Sequence, residues 1–382
     1  MTNFEILEDL LNEAIKNISA KNKLKYSNLI VANIDVLVAN IDKNKSLVSA
    51  MVTSMLKKIT EPQQDIRLHR TDFEGGYSAR SLDTDVTTLF FKKYFPKYAN
   101  KESGFLSMAT RAQIAWTKTD GTRIRTRASK EFMSSFLEIL DAIQSNEIEP
   151  KDILMYFFEK LYALSLQQKM IFDETIETSD FIDIININSV LEMLHKHFET
   201  DARGTSRLPV IAIYSIYEEL FKQVKRYENK ILRSLNVHTS ADRHGYGDIE
   251  IWNKDNAVPF EMVEIKHNIS IDRNLVFDIA KKSANTSIDR YYILTTAKDN
   301  FTSVEEEEFI NKFILKIKKD TDLEIIANGI FTSLKYYLRF IDDCKEFIKT
   351  YTKNLVADSK HSTEITEKHI MIWTEILKKH KL

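Results

Sequence analysis

The stretch "GDIEIWNKDNAVPFEMVEIKH", residues 247–267, decides how the chain is read. Asp248 and Glu250 alternate with Ile249 and Ile251, and Glu264 and Lys266 alternate with Val263 and Ile265. Successive side chains on a strand point to opposite faces, so each segment predicts one apolar and one charged face. The intervening "NKDNAVP" lets the two segments pair antiparallel, which brings Asp248 toward Glu264 near the open end of the hairpin. Gly245 and Gly247, just before Asp248, permit a bend or a close backbone approach. Two carboxylates drawn together repel each other unless they share a proton or a hard cation. Mg²⁺ typically takes one or two protein carboxylates, keeps several waters and accepts phosphate oxygens. A lysine two residues along, on the same face, can orient or deprotonate an attacking water and offset charge developing on a phosphate. The competing reading is a surface hairpin with a Glu–Lys ladder, which is worth little energetically.

The flanking sequence predicts helix, hairpin, helix, strand, helix from 209 to 318. Ile213, Ile216, Tyr217, Leu220, Phe221 and Val224 form an apolar stripe at helical spacing. A helix is expected around "RNLVFDIAKKSA" and a strand at "RYYILTTA" (290–297). "SVEEEEFINKFILKIKKD" carries its acids first and its lysines last, as a helix dipole favours. Residues 4–60, 131–200 and 325–382 also read as helical, and the echoed VANID of "VANIDVLVANID" is expected on one face of a packed helix. His195 and His197 lie two apart on a helix and do not face each other, so they read as structural or surface residues and not as metal ligands. The expected fold class is α/β (α+β), a mixed sheet flanked by helices with mostly helical N- and C-terminal regions. The chain divides into regions 1–60, 61–200, 201–320 and 321–382.

Composition narrows the function classes. The chain has 382 residues, with 54 Lys and Arg against 56 Asp and Glu, so a polyanion partner requires local basic patches. A single cysteine, Cys344, rules out a disulfide framework or Cys-based zinc site within one chain and fits a reducing cytoplasm. The stretch 29–41 is too short and too polar to span a bilayer, so no membrane is expected. A nucleotide cofactor is not expected either, since no phosphate-cradling G-x-x-x-x-G-K-[ST] loop is present. At the usual ~7 % a chain of this length holds about 27 glycines, but this one holds 8. Two places concentrate them, Gly245 with Gly247, and Gly75 with Gly76 in "FEGGYSARSLDTD".

Asp248, then fifteen residues, then Glu264-Ile265-Lys266 resembles the signature of the PD-(D/E)XK nucleases, and the order of elements around it resembles their core. The resemblance implies that Asp248 and Glu264 bind Mg²⁺ and that Lys266 assists the attacking water. Gly247 stands where the signature has proline. Many members add an acid from the preceding helix, here Glu218 or Glu219, with Glu218 preferred. The stretches 70–106 and 204–218 are similar to segments of SacI-like type II restriction endonucleases. That likeness implies a restriction-endonuclease-like core and site-specific cleavage of double-stranded DNA, leaving 5′-phosphate and 3′-hydroxyl ends. A symmetric site would favour a homodimer.

DNA contacts are expected outside the core. The loop at Gly75-Gly76 presents Tyr77, Ser78 and Arg80, with Arg67, Arg70 and Arg111 as further candidates. Residues 111–130 hold six basic side chains against one acid, and Arg123, Arg125 and Arg127 would form one basic row on a strand. The alternatives are ion pairs with Asp72, Asp83 or Asp85, or a charged edge that discourages sheet pairing. Two other functions remain: a repair or junction nuclease of the same superfamily, and a non-catalytic DNA-binding module.

Overall fold

The computed structural model describes residues 1–20, 28–182, 185–235, 245–255, 258–361 and 364–380. The chain forms two compact units, Met1–Lys169 and Met170–Leu382, in place of the four regions expected. No break occurs at 60, because a single apolar core runs from Leu7 to Leu161. None occurs at 320, because Leu334, Tyr351 and Trp373 share a core with Ile249 and Val263.

The N-terminal unit contains α1 (Asn3–Ala20), α2 (Asn28–Ala39), α3 (Lys45–Thr60), α4 (Ala79–Leu82), α5 (Thr88–Tyr94), α6 (Met108–Arg111) and α7 (Lys130–Gln144), and the boundary between units falls within α8 (Pro150–Asp180). Every residue of α3 from Leu47 to Leu56 is buried, so this helix is the axis of the unit. Helix α7 starts where Ser129 accepts the Phe132 N–H at 3.1 Å, and its Phe132, Phe136, Leu140 and Ile143 face the core. The repeated VANID is only half helical. Ile34 and Ile41 are both buried, but α2 ends at Ala39 and the second copy continues as a 3₁₀ turn. There the Asn40 side chain donates to the Val36 carbonyl at 2.9 Å, a side-chain bond that competes with the backbone ladder.

The C-terminal unit holds α9 (Ile187–Phe198), α10 (Arg207–Gln223), β1 (Lys230–Leu232), β2 (Ile249–Asn253), β3 (Pro259–Lys266), α11 (Arg273–Ser283), β4 (Arg290–Thr295), α12 (Val304–Thr321), β5 (Glu324–Gly329), α13 (Ile330–Leu338), α14 (Cys344–His361) and α15 (Glu367–Lys379). One five-stranded mixed sheet runs β1-β2-β3-β4-β5. The first three strands form an antiparallel meander, and β3, β4 and β5 are parallel. Parallel neighbours need crossovers, and α11 and α12 supply them. Helices cover both faces. Ile249, Ile251, Val263, Ile265 and Leu294 share a core with residues of α10 and α13–α15, while Met262, Tyr291, Ile293 and Ile325 pack with Val276, Ile279, Ile310 and Ile317 of α11 and α12. The fold is therefore mixed α/β. Two strands were not expected, β1 and β5. Three residues, with Ile231 44 % exposed, leave too little pattern to read β1. Strand β5 leads directly into α13, so its apolar residues merge with a helical run. Among the described residues no helix is long and apolar enough to cross a membrane.

His197 is structural, as its position on the helix suggests. Its Nε2 donates to the His369 carbonyl and its Nδ1 accepts from the Tyr351 hydroxyl, both at 2.9 Å, with Trp373 stacked on the ring. Nδ1 of His369 in turn accepts the Thr366 N–H at 3.0 Å. Burial pushes His197 down to about 3, and His369 and His69 down to about 4. Unfolded imidazoles take up protons near pH 6.5. Below that pH the unfolded chain binds more protons than the folded one, so stability present above pH 6.5 is lost as pH falls. The expected result is a urea midpoint that drops between pH 7 and pH 5, with each fully buried histidine contributing up to about 1.4 kcal/mol per pH unit. A midpoint unchanged over that interval contradicts neutral, buried histidines.

Candidate active site

The β2–β3 hairpin sets the site. Its register pairs Ile249 with Val263 and Glu250 with Met262. Asp248 lies one residue before the first pair, and continuing the register sets it across from Glu264. Its Oδ2 accepts the Ile265 N–H at 2.8 Å, which fixes the carboxylate against β3 between the backbone positions of Glu264 and Lys266. Lys266 Nζ donates to Glu264 Oε1 at 2.7 Å, with both side chains partly buried. The strands thus bring Asp248, Glu264 and Lys266 together.

Gly247 explains the departure from proline in the signature. A Cβ there would lie 2.7 Å from the Val263 carbonyl oxygen, so only glycine lets the chain run this close to β3. The Tyr291 hydroxyl donates to the Tyr246 carbonyl and braces the same turn from β4. Burial, with the charges of Glu264, Asp248 and Glu250 beside it, pushes the Tyr291 phenol well above its ordinary value. Glu250 shares the face of Asp248 but is occupied elsewhere. It accepts the Tyr246 N–H at 2.7 Å and the Trp252 indole at 3.0 Å, and Arg233 pairs with it while lying over the Trp252 ring.

A cleft of about 550 Å³ opens over this turn. Gly245, Gly247, Asp248, Glu264 and Ile265 line one part of it, Ser206 with Arg207 and Val210 of α10 another, and Lys282 of α11 and Glu364 complete it. Mg²⁺ fits the donor set. Asp248 and Glu264 offer hard carboxylate oxygens to one space, and two carboxylates are what such an ion takes beside water and phosphate. Among the described residues no group of three or more His, Cys, Asp or Glu is disposed to hold a metal ion.

Glu218 is not brought to this cleft. The beginning of α10 lines it, and Glu218 lies eleven residues further along the helix, about 16 Å at the helical rise. It accepts from the Asn354 amide of α14, and burial raises its carboxyl above the ordinary value. Glu219 is buried and bonded to Lys222 and Thr350. The acid that does reach the cleft, Glu364, follows the Glu-Ile-Lys triplet by about a hundred residues, and no local pattern marks it.

The expected DNA contacts divide. Arg70, Ser78, Arg80 and Arg111 line a single cleft of about 230 Å³ in the N-terminal unit. Arg70 is held in a fork by Asp72, two bonds of 2.8 Å, and donates to the Arg111 carbonyl at 3.0 Å. Arg80 and Arg111 are exposed. Tyr77, expected on the surface, is instead buried at 7 % exposure, and its hydroxyl donates to Ser54 at 3.2 Å. Arg67 is corrected too, because Asp65 and Asp141 occupy its guanidinium. Arg123, Arg125 and Arg127 do not form a strand. Their alternation survives as burial, with Ile124 inside and the three arginines exposed, and Arg123 closes a 3₁₀ turn onto Asp120. Arg127 lines a separate cleft with Lys43 and Lys45. Asp83, considered as an arginine partner, is instead a buried acceptor for Ser49, Thr53, Thr88, Ser103 and the Gly104 N–H.

No known family model matches this chain, and no curated protein is significantly similar to it.

Proposed function

We propose that the chain is a Mg²⁺-dependent endodeoxyribonuclease of the type II restriction class, with a PD-(D/E)XK-like core in its C-terminal unit. The observation that carries this reading is the Asp248 carboxylate held on the Ile265 N–H, between Glu264 and Lys266, at the edge of an open cleft. The succession α10, the β2–β3 hairpin, α11, β4 and α12 supports it, since this helix, hairpin, helix, strand, helix order is the one that resembles that core.

Asp248 and Glu264 hold the ion, which when bound supplies charge neutralisation for the phosphate and lowers the pKa of attacking water. Lys266 is kept beside Glu264 by their 2.7 Å bond, where its ammonium orients the water and offsets charge on the phosphate. The water oxygen forms a bond to phosphorus and the P–O3′ bond breaks. One proton leaves the water for solvent and one is taken up by O3′, giving 5′-phosphate and 3′-hydroxyl ends. Arg80 and Arg111, with Arg123, Arg125 and Arg127, are the exposed cations available to the duplex backbone and base edges. A homodimer places one such centre on each strand of a symmetric site.

The test is plasmid DNA incubated with the full chain in Mg²⁺ and, in parallel, in EDTA. Discrete fragments that appear only with Mg²⁺ are expected, and mapping their ends gives site and stagger. Cleavage confined to branched DNA would move the assignment to a junction nuclease. Salt-sensitive binding with intact plasmid under both conditions would replace the reading with a DNA-binding module.

A further inference from the structure

The cleft at Asp248 and Glu264 also carries two cations that the nuclease signature does not use. Arg207 lines it from α10, and its Nε and one terminal nitrogen donate to Asp358 Oδ1 at 3.1 and 2.9 Å. Arginine and aspartate are each only 5 % exposed. Taking both charges out of water is costly, so such a pair is weak evidence of stabilisation and calls for another reason. Its position supplies one, because a guanidinium fixed by a buried partner is preorganised for a planar, oxygen-rich anion. Lys282, on the last turn of α11, lines the same cleft and is exposed. Asp248, Glu264 and Glu364 would repel a polyanion from this space, so its entry requires opposing positive charge.

We propose that Arg207 and Lys282 form a clamp for the DNA phosphodiester, with Asp358 as the positioning residue that locks Arg207. This rests on the nuclease reading of the same cleft. The two cations divide the work. Lys282, long and solvated, contributes attraction and therefore affinity. Arg207, immobile, sets the orientation of the phosphate against Glu264 and Lys266 and therefore affects turnover.

The experiment compares the parent with Lys282→Gln, Arg207→Lys and Asp358→Asn as full chains. Binding of sheared duplex DNA is measured in Ca²⁺ across a salt series, and plasmid cleavage in Mg²⁺. Lys282→Gln is expected to flatten the dependence of log K on log salt by about 1, and to raise KM several-fold with kcat within about twofold. Arg207→Lys and Asp358→Asn are expected to lower kcat about tenfold or more, with KM little changed and with the double variant no worse than either alone. Salt slope and KM of Lys282→Gln equal to the parent, with kcat of Arg207→Lys also unchanged, would overturn the clamp. If the buried variants fail to fold, the exposed Lys282→Gln decides alone. A parent that binds no duplex DNA also overturns the clamp. A parent that binds DNA through Lys282 but never cuts it leaves the clamp standing and removes the nuclease reading.

Discussion

If the proposed nuclease reading holds, Lys266→Ala is expected to lower Mg²⁺-dependent cleavage of plasmid DNA by about 10³-fold, the size typical of losing one preorganised charge at a reacting centre, while duplex binding stays within a few-fold of the parent. The reason lies in where Lys266 stands. It donates to Glu264 at 2.7 Å and is still 29 % exposed, so the pair itself adds little to stability. Removing the ammonium leaves Asp248 in place, because the Asp248 carboxylate is anchored to the Ile265 backbone and not to Lys266. Glu264→Ala is expected to be at least as severe, since it deletes one of the two carboxylates proposed to hold the ion. Asp248→Asn separates the two roles of that residue. The amide oxygen can still accept from Ile265, but the negative charge that attracts the cation is gone. The three variants should therefore fold like the parent, with unfolding free energies from urea titration within about 1 kcal/mol of it, as surface or partly buried changes usually are. Cleavage by Glu264→Ala at the parent rate would remove the carboxylate pair from the mechanism. Loss of folding in Lys266→Ala would show that the triplet is a structural ladder and not a reactive site.

The triad was legible in the sequence because local rules fix it. The alternation from Asp248 to Ile251 and from Val263 to Lys266, a short connection and a glycine-rich entry leave the β2–β3 hairpin few registers, and the one formed, with a bulge between Ile251 and Trp252, sets Asp248 across from Glu264. What was not legible depends on long-range packing. The expected helix acid was sought at Glu218 because the apolar stripe and "IYEEL" mark α10 as a helix, but nothing in the pattern says which end of α10 meets the sheet. Arg207 and its partner Asp358 are 151 residues apart, and neither position breaks a local rule. Tyr77 and Arg67 sit in a segment rich in aromatic and charged residues that looks like a surface loop. In the fold the buried His69 stacks on Trp116 at 3.8 Å, and the segment packs against α3 and α7. A composition that suggests recognition is here shared between a cleft lined by Arg70, Arg80 and Arg111 and the interior that supports it.

That interior gives the second large effect. Asp83→Ala is expected to destabilise the N-terminal unit by about 3–5 kcal/mol, since each buried donor left without an acceptor costs about 1–3 kcal/mol. The Asp83 carboxylate is fully buried and accepts from four hydroxyls, Ser49, Thr53, Thr88 and Ser103, and from the Gly104 N–H at 2.7 Å. The cost falls below the sum of five because some donors can turn elsewhere. Thr53 already donates to the Ser49 carbonyl at 2.8 Å and lies 2.9 Å from the Thr87 hydroxyl. The backbone N–H of Gly104 cannot turn, and a Cβ at that glycine would meet Ser49 at 2.8 Å, so this approach to α3 has no slack. Asp83 ties α3 to the end of α4, which carries Arg80, and to the segment that leads into α6, which carries Arg111. Its loss should therefore loosen the arginine cleft before it touches the β2–β3 hairpin. Hydrogen exchange of the full-length Asp83→Ala protein is the measurement. Backbone amides across 79–111 should lose protection while those of 249–266 keep it, and duplex binding should weaken with Lys266 and Glu264 unaltered. Protection across 79–111 equal to the parent would mean that the buried carboxylate does not hold the two cleft-bearing segments to α3.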